Sequence, residues 1–175
     1  MESLGAIADN AEILPLSNVF IATPSYLIEK KRDFTGGIKQ LTRLGFNVIN
    51  PEFPQALPSP QEKADQIHGA FVDPGVDIIL ALRGGYSAMK TLPYLDFDLI
   101  KKHPKIIAGF SDLSALLNPI FERTGLVTLH APMVLNLGTP TEFTLASLMN
   151  AIKGYPEKNL LKGAHCKVYN HGSTS

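Results

Sequence analysis

Ser111 stands in the run Gly109-Phe110-Ser111-Asp112-Leu113, where an apolar segment that begins at Ile106 ends at a glycine and an amphipathic segment begins. That order predicts a strand, a sharp turn and a helix, with the serine hydroxyl above the carboxyl end of a sheet and beside the unpaired N–H groups of a helix start. The chemistry open to such a hydroxyl is nucleophilic attack on a carbonyl carbon. Serine is also a favoured helix N-cap, and Ser-Asp opens helices for that reason alone. On the local sequence the cap is the simpler reading, and the two stand side by side here.

Arg83-Gly84-Gly85-Tyr86-Ser87 is the second group with chemical content. Two glycines at the end of a buried strand let a ligand approach the backbone and leave N–H groups free to face an anion. A tight turn into the next helix accounts for the same pair equally well. Thr23-Pro24-Ser25 closes a third apolar run.

These groups need elements to carry them. Short, continuous apolar runs over residues 18–23, 46–50, 76–82, 105–109 and 127–130 predict strands buried on both faces, as in a parallel sheet. Between them, Ile28, Phe34, Ile38, Leu41 and Leu44 mark a helix weakened at Gly36-Gly37. Ala64, Ile67, Ala70 and Phe71 give one apolar helical face over residues 61–72, and a short helix over 88–92 is expected to end at or before Pro93. Leu113, Leu116, Leu117, Ile120 and Phe121 match a helix packed on a sheet, with a kink expected at Pro119. Thr139-Pro140-Thr141-Glu142 reads as a helix start with Thr139 as cap, and Leu145, Leu148, Met149 and Ile152 as its buried face.

The alternation predicts an α/β fold: an open, mostly parallel five-stranded sheet with helices on both faces, a three-layer arrangement of the flavodoxin or Rossmann kind. In such sheets ligands bind outside the carboxyl ends of the strands. Thr23-Pro24-Ser25, Arg83-Gly84-Gly85-Tyr86 and Ser111-Asp112 all fall there. Residues 1–157 read as one α/β domain, and 158–175, polar and ending in Gly172-Ser173-Thr174-Ser175, as the start of a linker.

Composition narrows the function classes. In 175 residues, 16 Lys and Arg balance 16 Asp and Glu, with no basic stripe for a phosphate backbone, so nucleic acid is not an expected partner. The one cysteine, Cys166, forms neither a disulfide framework nor a metal cluster, and no metal or cofactor is expected. No apolar run is long enough to cross a bilayer and the first residues lack a basic leader, which makes the cytoplasm the expected compartment.

Taken together, Arg83-Gly84-Gly85-Tyr86, Leu92-Pro93-Tyr94-Leu95-Asp96, Pro104-Lys105-Ile106, Gly109-Phe110-Ser111-Asp112-Leu113 and Gly125-Leu126-Val127-Thr128-Leu129-His130 occur in the order and spacing of the LD-carboxypeptidase family. These are serine peptidases that include the microcin C immunity type, and the resemblance covers about residues 18–133. It implies a two-domain enzyme with a Ser-Glu-His triad. Ser111 matches the nucleophile, and backbone N–H groups of Asp112 and of the glycine loop, at Gly85, match the oxyanion hole. Arg83, Gly84 and Tyr86 become substrate-binding candidates. The implied substrate is a murein-derived peptide ending in a D-amino acid next to an L,D bond, and no metal takes part. The resemblance also implies homodimerisation and a glutamate and a histidine in a C-terminal domain beyond residue 175, so the 175-residue chain is expected to be inactive by itself. Two alternatives remain: an immunity peptidase acting on a peptidyl-adenylate antibiotic, and a non-catalytic module holding an anion or carboxylate.

Ser87 and Ala131 depart from the family pattern, each in place of a glycine, and Pro119 is a further local change. His68, His103, His130, His165 and His171 could serve as a base by residue type, but no spacing puts one beside Ser111. His130, at the end of the next strand, reads as a wall residue.

Overall fold

The computed structural model describes residues 17–153. Its centre is a five-stranded sheet of β1 (Asn18–Ala22), β2 (Asn47–Val48), β3 (Ile78–Ala81), β4 (Ile106–Gly109) and β5 (Leu129–His130). The strands lie in the order β2-β1-β3-β4-β5, and every neighbouring pair is parallel. Val19 to Ala22 pair with Ile78 to Ala81, and Gly109 pairs with His130. Chain order reverses between β1 and β3, so the segments leaving those two strands diverge and open a crevice at their carboxyl ends.

Helices cover both faces, because successive residues of a strand point to opposite sides. Ile79, Ala81 and Ile107 face a core shared with α2 (Pro60–Val72), a 3-10 helix (Ala88–Tyr94), α3 (Phe97–Lys102) and α4 (Ser114–Thr124). Ile78, Leu80 and Ala108 face the opposite core, which holds α1 (Lys31–Arg43), α5 (Val134–Leu137) and α6 (Glu142–Ile152). Burying a side chain of isoleucine or leucine size is worth about 2 kcal/mol. The all-apolar β3, buried at each of its four residues, is therefore the natural centre of the sheet.

Four expectations change in detail. Pro93 lies inside the 3-10 helix, which runs on to Tyr94. A 3-10 turn that carries few regular hydrogen bonds loses less to a proline than an α-helix does. The last helix starts later than Thr139: Thr141 is the cap, accepting a hydrogen bond from Thr144 N at 3.1 Å. A cap hydroxyl must reach the N–H two or three residues on, and Thr141 is the threonine that does. Gly37 does more than weaken α1, since a Cβ there would come within 2.7 Å of Val134 Cγ1, so the glycine is what lets α1 lie against α5. The fourth change concerns Ser111 and is taken up with the site. Pro119 lies inside α4, between the buried Leu116, Leu117 and Ile120.

The expected linker, residues 158–175, and with it Cys166, His165 and His171, lies outside the described residues. Among the described residues no helix is long and apolar enough to cross a membrane, and no three His, Cys, Asp or Glu side chains group as metal ligands.

Candidate active site

β4 ends at Gly109, and the chain turns within one residue into a 3-10 turn, Ser111–Leu113, that leads into α4. Gly109 makes this tightness possible: a Cβ there would lie 3.0 Å from Ala81 Cβ and would collide with the Leu113 side chain, which is folded over the strand end. Ser111 takes the strain of the turn. Its φ is 61°, the one positive φ at a non-glycine residue among the described residues. An L-residue in that region costs about 1–2 kcal/mol and persists only where its surroundings over-determine it.

Ser111 is therefore not the helix cap that its local sequence suggests. Its side chain makes no capping hydrogen bond, Phe110 occupies the cap position of the 3-10 turn, and α4 begins at Ser114. Ser111 is exposed, and its hydroxyl makes no hydrogen bond within the protein among the described residues.

Asp112 supplies the restraint. Its Oδ2 accepts hydrogen bonds from Ser87 N at 2.8 Å, Ala88 N at 2.9 Å and Ser25 Oγ. One carboxylate oxygen thus ties the segments leaving β1, β3 and β4 together at the crevice. Charge-assisted bonds of this kind are about twice as strong as neutral ones.

The glycine loop lies directly against the serine. A Cβ at Gly84 would stand 3.0 Å from Ser111 Oγ and 3.1 Å from Ser111 Cβ. At Gly85 it would collide with Ser25 Oγ and come within 2.9 Å of the Tyr26 ring. Both glycines are thus demanded by close approach. Among the described residues neither the Gly85 N–H nor the Asp112 N–H donates within the protein, so both donors are unspent, one in the residue after Ser111 and one in the residue after Gly84, which lies against Ser111.

The other expected residues divide. Arg83 faces the loop, donating from Nε to Gly84 O at 3.1 Å and from Nη1 to Leu27 O at 3.3 Å, which fastens the β3 loop to the β1 segment. Tyr86 is 87% exposed and meets Tyr26 edge to face, 6.3 Å between ring centres. Of the histidines, His68 Nε2 accepts from Asp96 N at 2.8 Å and is committed to holding the start of α3. His130 is exposed, with its ring 5.9 Å from that of Phe110.

Two residues at the site were not among the candidates. Ser25, fully buried, belongs to the Thr23-Pro24-Ser25 group expected at this end of the sheet but carries no assigned role there, although its hydroxyl is one of the three donors to Asp112. Lys63 stands outside every motif of the sequence. It is 2% exposed, and its Nζ donates to Ser87 Oγ at 2.8 Å. The available signal was its place four residues before Ile67 on the apolar stripe of α2, where a charge needs a partner.

A strained serine between a parallel strand and a helix, with a glycine loop at its side, defines the class: a doubly wound α/β protein whose sheet edge carries the kind of turn that hydrolases use for a nucleophile. The chain belongs to the LD-carboxypeptidase family, matching the family's N-terminal domain over residues 19–131. It is 42% identical to the Bacillus subtilis protein YocD over 97 residues, 53% of this chain and 30% of YocD. With the murein tetrapeptide carboxypeptidase of Pseudomonas aeruginosa it shares 37% identity over 79 residues, 45% of this chain and 25% of the relative. The crystal structure of an MccF-like protein from Bacillus anthracis superimposes with a TM-score of 0.71 at 34% identity, covering 77% of this chain and 44% of the other. The matched region is thus less than half of each relative's own length.

Proposed function

We propose that this chain carries the nucleophile half of a serine carboxypeptidase that removes the terminal D-amino acid from murein tetrapeptides by cleaving an L,D peptide bond. The observation that carries the proposal is the positive φ of Ser111 at the end of β4. Strain of this kind is retained where it aims a side chain. Support for the substrate class comes from the relatives, one of them named a murein tetrapeptide carboxypeptidase.

In the proposed reaction Ser111 Oγ attacks the carbonyl carbon of the scissile bond as its proton passes to a histidine base. The carbonyl oxygen becomes an oxyanion that receives the Asp112 and Gly85 N–H groups. The protonated base then gives its proton to the leaving amine of the D-amino acid, and the acyl group stays on Ser111 as an ester. Water, deprotonated by the same base, hydrolyses that ester and restores the serine. Removing one oxyanion donor from a hydrolase costs about 3 kcal/mol of transition-state stabilisation. Arg83 serves here as the fastener of the loop, and the histidine and its glutamate come from outside the described residues.

The test is D-alanine release from a murein tetrapeptide, followed for the 175-residue chain and for the same chain joined to a glutamate- and histidine-bearing segment. Turnover is expected only from the second, and not after Ser111→Ala. Release by the shorter chain would contradict the external base, and turnover surviving Ser111→Ala would contradict the nucleophile. The likeness to the Escherichia coli microcin C7 self-immunity protein MccF supports one competitor, an immunity peptidase. Preference for a peptidyl-adenylate analogue over the tetrapeptide would select it.

A further inference from the structure

We propose that Lys63 is the positioning residue of this site: its buried ammonium, bonded to Ser87 Oγ, stands behind the Asp112 carboxylate and holds the glycine loop and the Ser111 turn in one arrangement.

The geometry forms a closed circuit. Lys63 Nζ donates to Ser87 Oγ at 2.8 Å, and Ser87 Oγ donates to Ser25 O at 3.2 Å. Ser25 Oγ donates to Asp112 Oδ2, which also accepts Ser87 N at 2.8 Å. Lys63 comes from α2, so the circuit joins a helix of the covering layer to the segments leaving β1, β3 and β4. No carboxylate lies within ion-pair distance of Lys63 among the described residues, which makes Ser87 Oγ its acceptor and Asp112 its balancing charge through space. A lysine buried to this degree costs several kcal/mol unless a negative charge offsets it. Without the lysine, Asp112 would keep its three hydrogen-bond donors, Ser25 Oγ, Ser87 N and Ala88 N, but lose the cation that acts on it through space. The carboxylate thus helps to offset the buried ammonium, and the glycine loop is fastened to both through Ser87, whose Oγ accepts from Lys63 and whose N–H donates to Asp112.

The burial of Lys63 lowers its pKa below the ordinary 10.5, with Asp112 opposing that shift and Lys90 of the 3-10 helix adding to it. β1 and β3, which pack on the same helix, contain no titratable side chain. Asp98, Lys101 and Lys102 of α3 are exposed to solvent and are not among the groups acting on Lys63. As pH rises through the folded value, Lys63 loses its charge and the circuit loosens.

The proposal rests on the Ser111 reading for its catalytic consequence, whereas the loop arrangement is measurable without turnover. The experiment is carbon-detected NMR and amide hydrogen exchange on the isotope-labelled 175-residue chain, with Lys63→Met, Ser87→Ala and the double variant. In the unsubstituted chain the backbone resonances of Gly85, Ser87 and Asp112 are expected to move with the Lys63 Nζ resonance, at a midpoint below 10.5. Lys63→Met abolishes that step and speeds exchange at Ser87 and Ala88 by about tenfold while β3 stays protected. The double variant does less than the sum of the two singles, since both break the Lys63–Ser87 bond, and strict additivity would overturn the proposal. Unchanged loop resonances in Lys63→Met, or equal loss of protection across the sheet, would overturn the proposal. Should Lys63→Met fail to fold, Ser87→Ala decides alone: it must lower the Lys63 titration midpoint further, and an unmoved midpoint overturns the proposal. In a form that releases D-alanine, Lys63→Met is expected to lower kcat with KM retained. Absence of turnover before any substitution would count against the Ser111 reading and leave the NMR result on Lys63 standing.

Discussion

Ser111 holds a conformation that favours glycine, and the cost of this is separable from its use. Replacing it by glycine removes the Cβ that makes φ 61° unfavourable, so Ser111→Gly is expected to raise stability by about 1 kcal/mol in urea unfolding while removing the nucleophile. Ser111→Val, β-branched at the same φ, is expected to lower it. Stability unchanged in both would mean that the turn stores no strain. None of this was readable from Gly-Phe-Ser-Asp, because a capping serine and a strained serine have the same neighbours in sequence. What separates them is the Gly109 and Leu113 contact on one side and the Asp112 clamp on the other, both tertiary. Lys63 was hidden for a related reason: its long side chain near a helix start reads as solvated, and only its register with Ile67 argued otherwise.

At the scale of elements, the strands were the most legible part, since runs such as Ile78-Ile79-Leu80-Ala81 have no polar face to offer water. Helix ends were less so, because capping depends on which side chain reaches the free N–H groups, as Thr141 does in place of Thr139. α2 shows the rule in full. Ser59 Oγ accepts from Glu62 N at 3.3 Å, the Glu62 carboxylate accepts from Ser59 N at 2.7 Å, and Pro60 follows the cap. The bond from Ser59 N, and then that with its hydroxyl, hold the Glu62 carboxyl below its ordinary 4.5. A depressed carboxyl favours the folded state above the unfolded value, and that contribution fades as pH falls through the folded one. The stability advantage over Glu62→Gln is therefore expected to be full near neutrality and to vanish on acidification below 4.5, as followed by thermal unfolding. Because α2 also carries Lys63, Ser59→Ala, costing about 1 kcal/mol, bears on the site as well as on the helix.

In the whole molecule the strand order does the assembling. Ser25, the Arg83-to-Ser87 loop and Ser111 are far apart in sequence, yet β1, β3 and β4 are neighbours in the sheet and all three segments leave by the same edge. Asp112 then ties them with a single carboxylate oxygen. The convergence on one edge was legible from the alternation of strands and helices. The clamp was not, since it depends on the exact heights at which three strands end. In the proposed function the carboxypeptidase chemistry is assigned to this edge, and the weight of that proposal falls on Ser111. The most direct measurement is peptide mapping by mass spectrometry after treatment with a serine-directed phosphonate, using the chain joined to a glutamate- and histidine-bearing segment. One adduct is expected, on the peptide containing Ser111, absent in Ser111→Ala and slower to form in Gly85→Ala. An adduct on Ser25 or Ser114, or labelling undiminished by Ser111→Ala, would contradict the assignment of Ser111 as the nucleophile.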